Sequence, residues 1–354
     1  MLKVPANSSR LFLKKDDALQ QSSAEVQLIF DEENPYVYNN RFNQNLISYD
    51  FNYCTTDNFH FKDSIGYFNA LAQELSDFNT FIEIGCGQGE FVEHLRVGGL
   101  NAFGFDPTLR NSSDYLFQTY WTIANQNLFF DTNQVKNPLY IMRCVLPHIP
   151  NPFDFLDSIF ESDSNSGVLI EFQRREFIIN TNNWTQISHD HVNIFSTMDF
   201  VQSYEILSSG EFANSEWAYV LLRKRKQKRL DIYLHSEHLN FDEVFRVRDF
   251  EIDLLANLES PIAIYGAAGK GIVFGFSLMN CVGGGELIAI DSDINRQNRF
   301  MECSGIKVIS PKDAIKSLVE DTLIVVMNPS HFDFVSKIFA VKFRIATIGK
   351  IGIK

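Results

Sequence analysis

An apolar strand that runs straight into a glycine-rich turn and then a helix constrains this chain more than any other stretch. It reads Phe81-Ile82-Glu83-Ile84-Gly85-Cys86-Gly87-Gln88-Gly89, followed by Glu90-Phe91-Val92-Glu93-His94-Leu95. Glycine at alternate positions suits a tight turn that a ligand approaches without meeting a Cβ. A second apolar stretch, Ala102-Phe103-Gly104-Phe105, ends in Asp106, nineteen residues beyond Gly87. An acid at the end of the second strand of a βαβ unit is placed to accept hydrogen bonds from ribose hydroxyls. The pattern predicts a nucleotide-type ligand; a tight turn serving no ligand is the plainer alternative.

Strand and helix signals go on alternating after Asp106. Residues 139–146 read as a buried strand running into Pro147-His148-Ile149-Pro150, residues 153–160 as a helix, 167–172 as a strand and 217–222 as the last strand of the unit. A helix fits residues 64–75, with Ile65, Phe68, Leu71, Ala72 and Leu75 on one face. Such alternation implies a parallel, doubly wound sheet whose ligands lie at the carboxyl ends of its strands. Asp106, His148 and Glu171 fall at or near such ends. A second unit of the same type begins at Pro261-Ile262-Ala263-Ile264-Tyr265 and turns through Gly266-Ala267-Ala268-Gly269-Lys270-Gly271. Its next strand, 287–290, ends in Asp291, and further βα signals follow at 308–311 and 322–331. That turn and Lys270 would hold a phosphate, or simply reverse the chain.

At 354 residues the chain is long enough for two domains. We place an N-terminal segment at 1–63, a first α/β domain at 64–225 and a second, smaller one at 226–354. Residues 26–30 read as a short strand, and the aromatics between 34 and 53 serve as a cover for the first domain or a lid over its ligand. The run Arg223-Lys224-Arg225-Lys226-Gln227-Lys228-Arg229 reads as a solvated linker, with a mainly helical bridge over 230–257. A net charge of −13 argues against a general nucleic-acid binder, because phosphate neutralisation needs basic surface. The five cysteines form no disulfide framework and no closely spaced metal-binding set, so a reducing cytoplasm and no bound metal are expected. No stretch is apolar and long enough to span a bilayer.

Three groups of residues carry candidate chemistry. His189 and His191 flank Asp190, an arrangement open to catalysis, metal binding or a surface role. His148 either lines a site or caps the helix after it. Tyr53 either packs or faces a ligand.

Glu83-Ile84-Gly85-Cys86-Gly87-Gln88-Gly89 resembles the first motif of class I S-adenosylmethionine (SAM) methyltransferases, rather than an NAD fingerprint. The resemblance implies that Glu83, Gly85, Cys86, Gly87, Gly89, Asp106 and Pro107 contact SAM. From about residue 50 onward the chain resembles the nucleotide-sugar C-methyltransferases. The match rests on that motif, on residues 145–156 (Val145-Leu146-Pro147-His148-Ile149-Pro150-Asn151-Pro152 at their head), and on Ile187-Ser188-His189-Asp190-His191. It is completed by Tyr265-Gly266-Ala267-Ala268-Gly269-Lys270-Gly271 with Arg296-Gln297-Asn298-Arg299-Phe300 and Ile309-Ser310-Pro311. The resemblance implies a class I methyltransferase domain plus a second Rossmann-like domain. It implies C-methylation of a keto-sugar on a nucleoside diphosphate, with His191 as base, Asp190 orienting a histidine, His189, His148 and Tyr53 near the sugar, and Gly266, Ala267, Lys270 and Gly271 binding substrate. Three departures stand out. Residues 1–50 lack the family's zinc-binding cysteines, Ser188 replaces a tyrosine, and Asn214-Ser215-Glu216-Trp217 stands near where the family has Gly-Gly-Ser. O- or N-methylation of a sugar or other small molecule, and non-catalytic nucleotide binding, are the alternatives.

Overall fold

The computed structural model describes residues 1–8, 10–31, 33–48, 59–133, 135–225, 241–281 and 287–352. Tyr53, Tyr49, Phe51 and the basic run beyond Arg225 lie outside the described residues.

The first domain is built on seven strands: β1 (Thr80–Ile84), β2 (Ala102–Phe105), β3 (Leu116–Phe117), β4 (Pro138–Arg143), β5 (Gly167–Gln173), β6 (Tyr204–Phe212) and β7 (Trp217–Lys224). Their order across the sheet is β6-β7-β5-β4-β1-β2-β3. The first five run parallel, β7 pairs antiparallel with β5, and β6 closes the edge antiparallel to β7. Every residue of β1 is buried, as expected of a central parallel strand covered on both faces. Helix α1 (Phe59–Ala70) ends earlier than the apolar spacing predicts, and the chain continues in turns that still bury Leu71 and Leu75. Helix α2 (Glu90–Val97) starts from Gly89 in the left-handed region and carries Glu90 and Glu93 at its start and Arg96 at its end, matching the helix dipole. Helix α3 (Ile123–Asn133) follows β3, and helix α4 (Pro152–Ser162) opens on proline and buries Leu156, Ile159 and Phe160. Strand β6 has no counterpart in the sequence reading. Its Ser208-Ser209-Gly210-Glu211 stretch is half-buried at an edge, so it carries no apolar run.

The second sheet holds β8 (Ile262–Tyr265), β9 (Ile288–Ile290), β10 (Phe300–Met301), β11 (Lys307–Ile309), β12 (Leu323–Val326) and β13 (Arg344–Thr347). Its order is β13-β12-β8-β9-β11-β10, and the edge beyond β10 is taken by Leu11–Phe12 from the N-terminal segment. That segment also forms a strand pair, Leu2–Pro5 with Ser23–Val26, lying against helix α7 (Lys270–Met279). The strand expected over 26–30 is divided in two: Ser23–Val26 pairs with Leu2–Pro5, and Leu28–Ile29 pairs with Val37–Asn39. Val37 and Tyr38 in turn pair with Ile194 and Asn193.

One apolar core runs through all three regions. Leu2, Val4 and Val26 meet Ile178, Trp184, Ile187 and Ile194 of the first domain and Ile272, Val273 and Phe274 of the second. After helix α5 (Arg175–Asn180), Trp184 is fully buried, packs against the Phe274 ring and donates Nε1–H to Glu251 Oε2 at 2.9 Å. Glu251 sits in helix α6 (Phe241–Ala256) and also accepts from Ile351 N–H. At a second bridge, Glu216 accepts from Lys270 Nζ (2.5 Å) and Gln186 Nε2 (2.9 Å).

Trp184→Ala should therefore destabilise the protein by about 3–5 kcal/mol, the usual cost of an emptied aromatic site, measured by denaturant unfolding. A change below about 1 kcal/mol would show that Trp184 does not tie the regions together.

Candidate active site

The turn after β1 is shaped by backbone conformation. Gly85, Gly87 and Gly89 all have positive φ, and a Cβ on Gly85 would collide with the Val145 side chain. Asp106, at the end of β2, sits beneath this turn. Its Oδ2 accepts from Gly87 N–H at 2.9 Å, and its Oδ1 accepts from Thr108 N–H and Oγ1–H at 2.7 and 2.6 Å. Each carboxylate oxygen has two acceptor sites; both on Oδ1 are taken by Thr108 and one on Oδ2 by Gly87, which leaves Oδ2 one site for a ribose hydroxyl, and the Cβ-free turn fits a closely approaching ligand. Cys86 is buried against the Gly104 backbone, and burial pushes its thiol well up. Glu83 lies inside β1, where Arg143 Nη1 reaches its Oε1 at 3.3 Å. Burial raises Glu83 to about 7, with Arg143 pulling the other way.

The second turn repeats this bond. Ala267 N–H donates to Asp291 Oδ2 at 2.9 Å, and Arg296 lies 3.3 Å from the same oxygen. A Cβ on Gly271 would strike the Gly266 carbonyl, so glycine lets α7 pack onto its strand. Lys270 points at Glu216 across the domain boundary rather than standing clear.

A small, open cleft lies at the carboxyl ends of β4 and β5. Cys144, Pro147, Gln173, Gln186, His191 and Trp217 are among its walls. The histidine motif enters it in one direction only. His191 lines the cleft, and its ring bonds the Gln186 backbone. Burial, with His148 adding to it, depresses its pKa to about 4, so it is a neutral imidazole at physiological pH. His148 packs edge-on against it, ring centroids 4.7 Å apart, and bonds the Asp190 carbonyl through Nδ1 at 2.7 Å. Asp190 is buried with Oδ1 accepting from Ser8 Oγ–H at 3.0 Å; burial pushes its carboxyl up, and the neighbouring histidines together with hydroxyl hydrogen bonds outweigh it and bring it below the usual range. His189 is fully buried facing the N-terminal segment. Its Nδ1 lies 3.1 Å from the Glu25 carbonyl, and Nε2 accepts from Asn43 N–H at 3.1 Å.

Sequence reasoning did not single out Trp217, Gln173, Gln186 or Asn193 as cleft residues. None belongs to a charged or glycine-rich pattern, and only their nearness to strand ends marks them. Asn214-Ser215-Glu216-Trp217 forms the β6–β7 turn, with Ala213, Asn214 and Ser215 all at positive φ, and delivers Glu216 to Lys270 and Trp217 to the cleft.

Residues 60–203 match the family model described as a methyltransferase domain. The seven-stranded sheet with β7 reversed between β5 and β6 is the arrangement of class I methyltransferases, and this chain is a SAM-dependent methyltransferase. A search of curated proteins found no match. Among solved structures, the PH0226 protein of Pyrococcus horikoshii OT3 is similar at 10% identity over 48% of this chain and 94% of its own, with a TM-score of 0.30. Coclaurine N-methyltransferase bound to N-methylheliamine and SAH is similar at 10% identity over 52% and 77%, TM-score 0.30. The small RNA methyltransferase HEN1 is similar at 13% identity over 50% of this chain and 27% of its own, TM-score 0.32. Likenesses this distant carry no information about substrate.

Asp106→Ala and Gly87→Val should each weaken SAM binding about tenfold to a hundredfold, the range for losing hydrogen bonds to a charged group, with the fold retained by circular dichroism. Unchanged affinity by calorimetry in both variants would place the cofactor elsewhere.

Proposed function

We propose that this methyltransferase forms a carbon–carbon bond on a keto-sugar carried by a nucleoside diphosphate, with His191 as the base. One observation carries the assignment: of the two histidines in the Ile187–Ser188–His189–Asp190–His191 motif, His191 opens onto the cleft while His189 is sealed against the N-terminal segment. Methylating carbon requires removal of a proton beside a carbonyl and stabilisation of the resulting enolate. The neutral His191 ring takes that proton, becoming an imidazolium beside the enolate, and Asp190 offsets the positive charge. Bound SAM supplies an electrophilic methyl group. SAM held at the Gly85–Gly89 turn and Asp106 would give that methyl to the enolate carbon and depart as S-adenosylhomocysteine. The nucleotide is assigned to the second domain, on the strength of the Ala267–Asp291 turn and the resemblance of residues 265–271 to the family's C-terminal unit. Cytoplasmic location fits the cysteine usage, and among the described residues no helix is long and apolar enough to cross a membrane.

His191→Ala should lower turnover about 10²–10⁴-fold and leave SAM affinity near wild type. With a nucleotide keto-sugar in D₂O and no SAM, wild-type protein should exchange the proton beside the carbonyl and the variant should not. Exchange that persists in the variant would move the base elsewhere, and a product methylated on oxygen or nitrogen by NMR would reject carbon methylation. The pH profile offers an independent check. A base depressed to about 4 is already unprotonated across pH 6–8, so kcat/KM should fall only as pH drops toward 4. A limb centred near the ordinary histidine value of 6.5 would count against His191.

A further inference from the structure

Beside the cleft, at Cys144, three side chains from distant parts of the sequence meet: His60 of α1, Cys144 just after β4, and Glu171 of β5. One ligand atom from each lies within 4.8 Å of the others. His60 Nε2 is 3.4 Å from Glu171 Oε2 and 3.8 Å from Cys144 Sγ. We propose that His60, Cys144 and Glu171 bind a divalent cation of the zinc type, with its fourth position open to the cleft.

Geometry is the first support. Zinc holds nitrogen and oxygen at about 2.0–2.2 Å and thiolate sulfur at about 2.3 Å in a tetrahedron, which sets nitrogen and oxygen ligands about 3.4 Å apart and nitrogen and sulfur about 3.6 Å apart. The two spacings from His60 lie within a few tenths of an ångström of these values, and Cys144 Sγ lies within 4.8 Å of the Glu171 ligand oxygen.

The state of Glu171 is the second, independent support. The residue is fully buried, and its two oxygens differ. Oε1 accepts from Tyr67 O–H at 2.5 Å and lies 3.3 Å from Arg143 Nε. Oε2, also buried, accepts no hydrogen bond among the described residues and lies 3.4 Å from His60 Nε2. A carboxylate fixed through one oxygen and bare on the other is how outer-shell partners orient a ligating carboxylate. Buried carboxylate oxygens without partners are costly, and a cation removes that cost.

The ring of His60 is also prepared. It lies against Trp217 with centroids 4.4 Å apart, which fixes the direction of its ring. Cys144 lines the cleft directly, so the cluster reaches the same space as His191. Three protein ligands with an open fourth position are the pattern of a Lewis-acid rather than a structural zinc. Positions 60, 144 and 171 have no motif spacing, which is why the sequence suggested no metal.

The test uses the full chain and does not depend on the identity of the sugar. Protein stripped with chelator and titrated with Zn²⁺ should take up one equivalent by calorimetry. With Co²⁺ it should show a near-ultraviolet thiolate-to-cobalt charge-transfer band. Cys144→Ser should abolish that band. His60→Ala and Glu171→Gln should weaken Zn²⁺ binding by more than the about 10–100-fold typical of losing an outer-shell partner. His60 is partly exposed at the surface of the fold, so His60→Ala keeps the test valid if a buried substitution fails to fold. No tight uptake by wild-type protein would overturn the proposal. So would a cobalt–thiolate band that survives Cys144→Ser, or Zn²⁺ affinity unchanged in His60→Ala, because the metal would then sit elsewhere.

Discussion

The Trp184 indole gives its single donor to Glu251 in a place that water does not reach, and much of the molecule is arranged around that bond. A buried carboxylate needs partners; Glu251 has the indole on one oxygen and the Ile351 amide on the other. Trp184 belongs to the first domain, Glu251 to the helix leading into the second, and Ile351 follows the last strand. Three distant points of the chain converge on one side chain. Eleven residues after Trp184 the same segment is held again: Arg175 N–H donates to the Phe195 carbonyl, and its guanidinium makes a two-pronged, buried pair with Asp199, whose other bond caps Ser196. Between these anchors lie His189, Asp190 and His191. A histidine whose ring must face a cleft is thus set by packing and buried charge on both sides, and loop flexibility has little part in it.

The local patterns were readable because they depend on neighbours in sequence. Strand β1, its glycine turn and Asp106 needed only a periodicity and a count, and the alternation that followed led to the doubly wound sheet found in the structure. The second unit was equally plain from residues 261–293. The strand between them was not, because β6 is a half-polar edge whose partner, β7, supplies the apolar face. The N-terminal strands were invisible for a different reason. Leu2–Pro5 and Leu11–Phe12 are short and ordinary; the first is a strand through Ser23–Val26 and the cover of α7, the second only through Phe300–Met301.

The site divides along the same line. Motif residues come in contiguous runs, and the structure disperses them: His191 to the cleft, His189 to the N-terminal segment, Lys270 to Glu216. The groups facing His191 come instead from strand ends and from a turn. No periodicity marks Gln173, Trp217 or Cys144, since each is placed by sheet register, Gln173 opposite Trp217 across the antiparallel pair. Chemistry assembled by a sheet is written in the pairing of its strands, and a single sequence does not display that pairing.

Leu11–Phe12 completes the far edge of a sheet whose other strands begin at Ile262. A ribosome releases the first of these segments long before the second, so the early one must wait while the whole first domain is made. Closing so long a loop is slow, although the entropic penalty grows only gently with length. In that interval Leu2 and Val4 lack the part of their cover that α7 supplies, Leu11 lacks its partner strand, and the unfinished edge is open to pairing with another chain. The order of synthesis thus makes the N-terminal segment the part of this protein most in need of protection while it is being born.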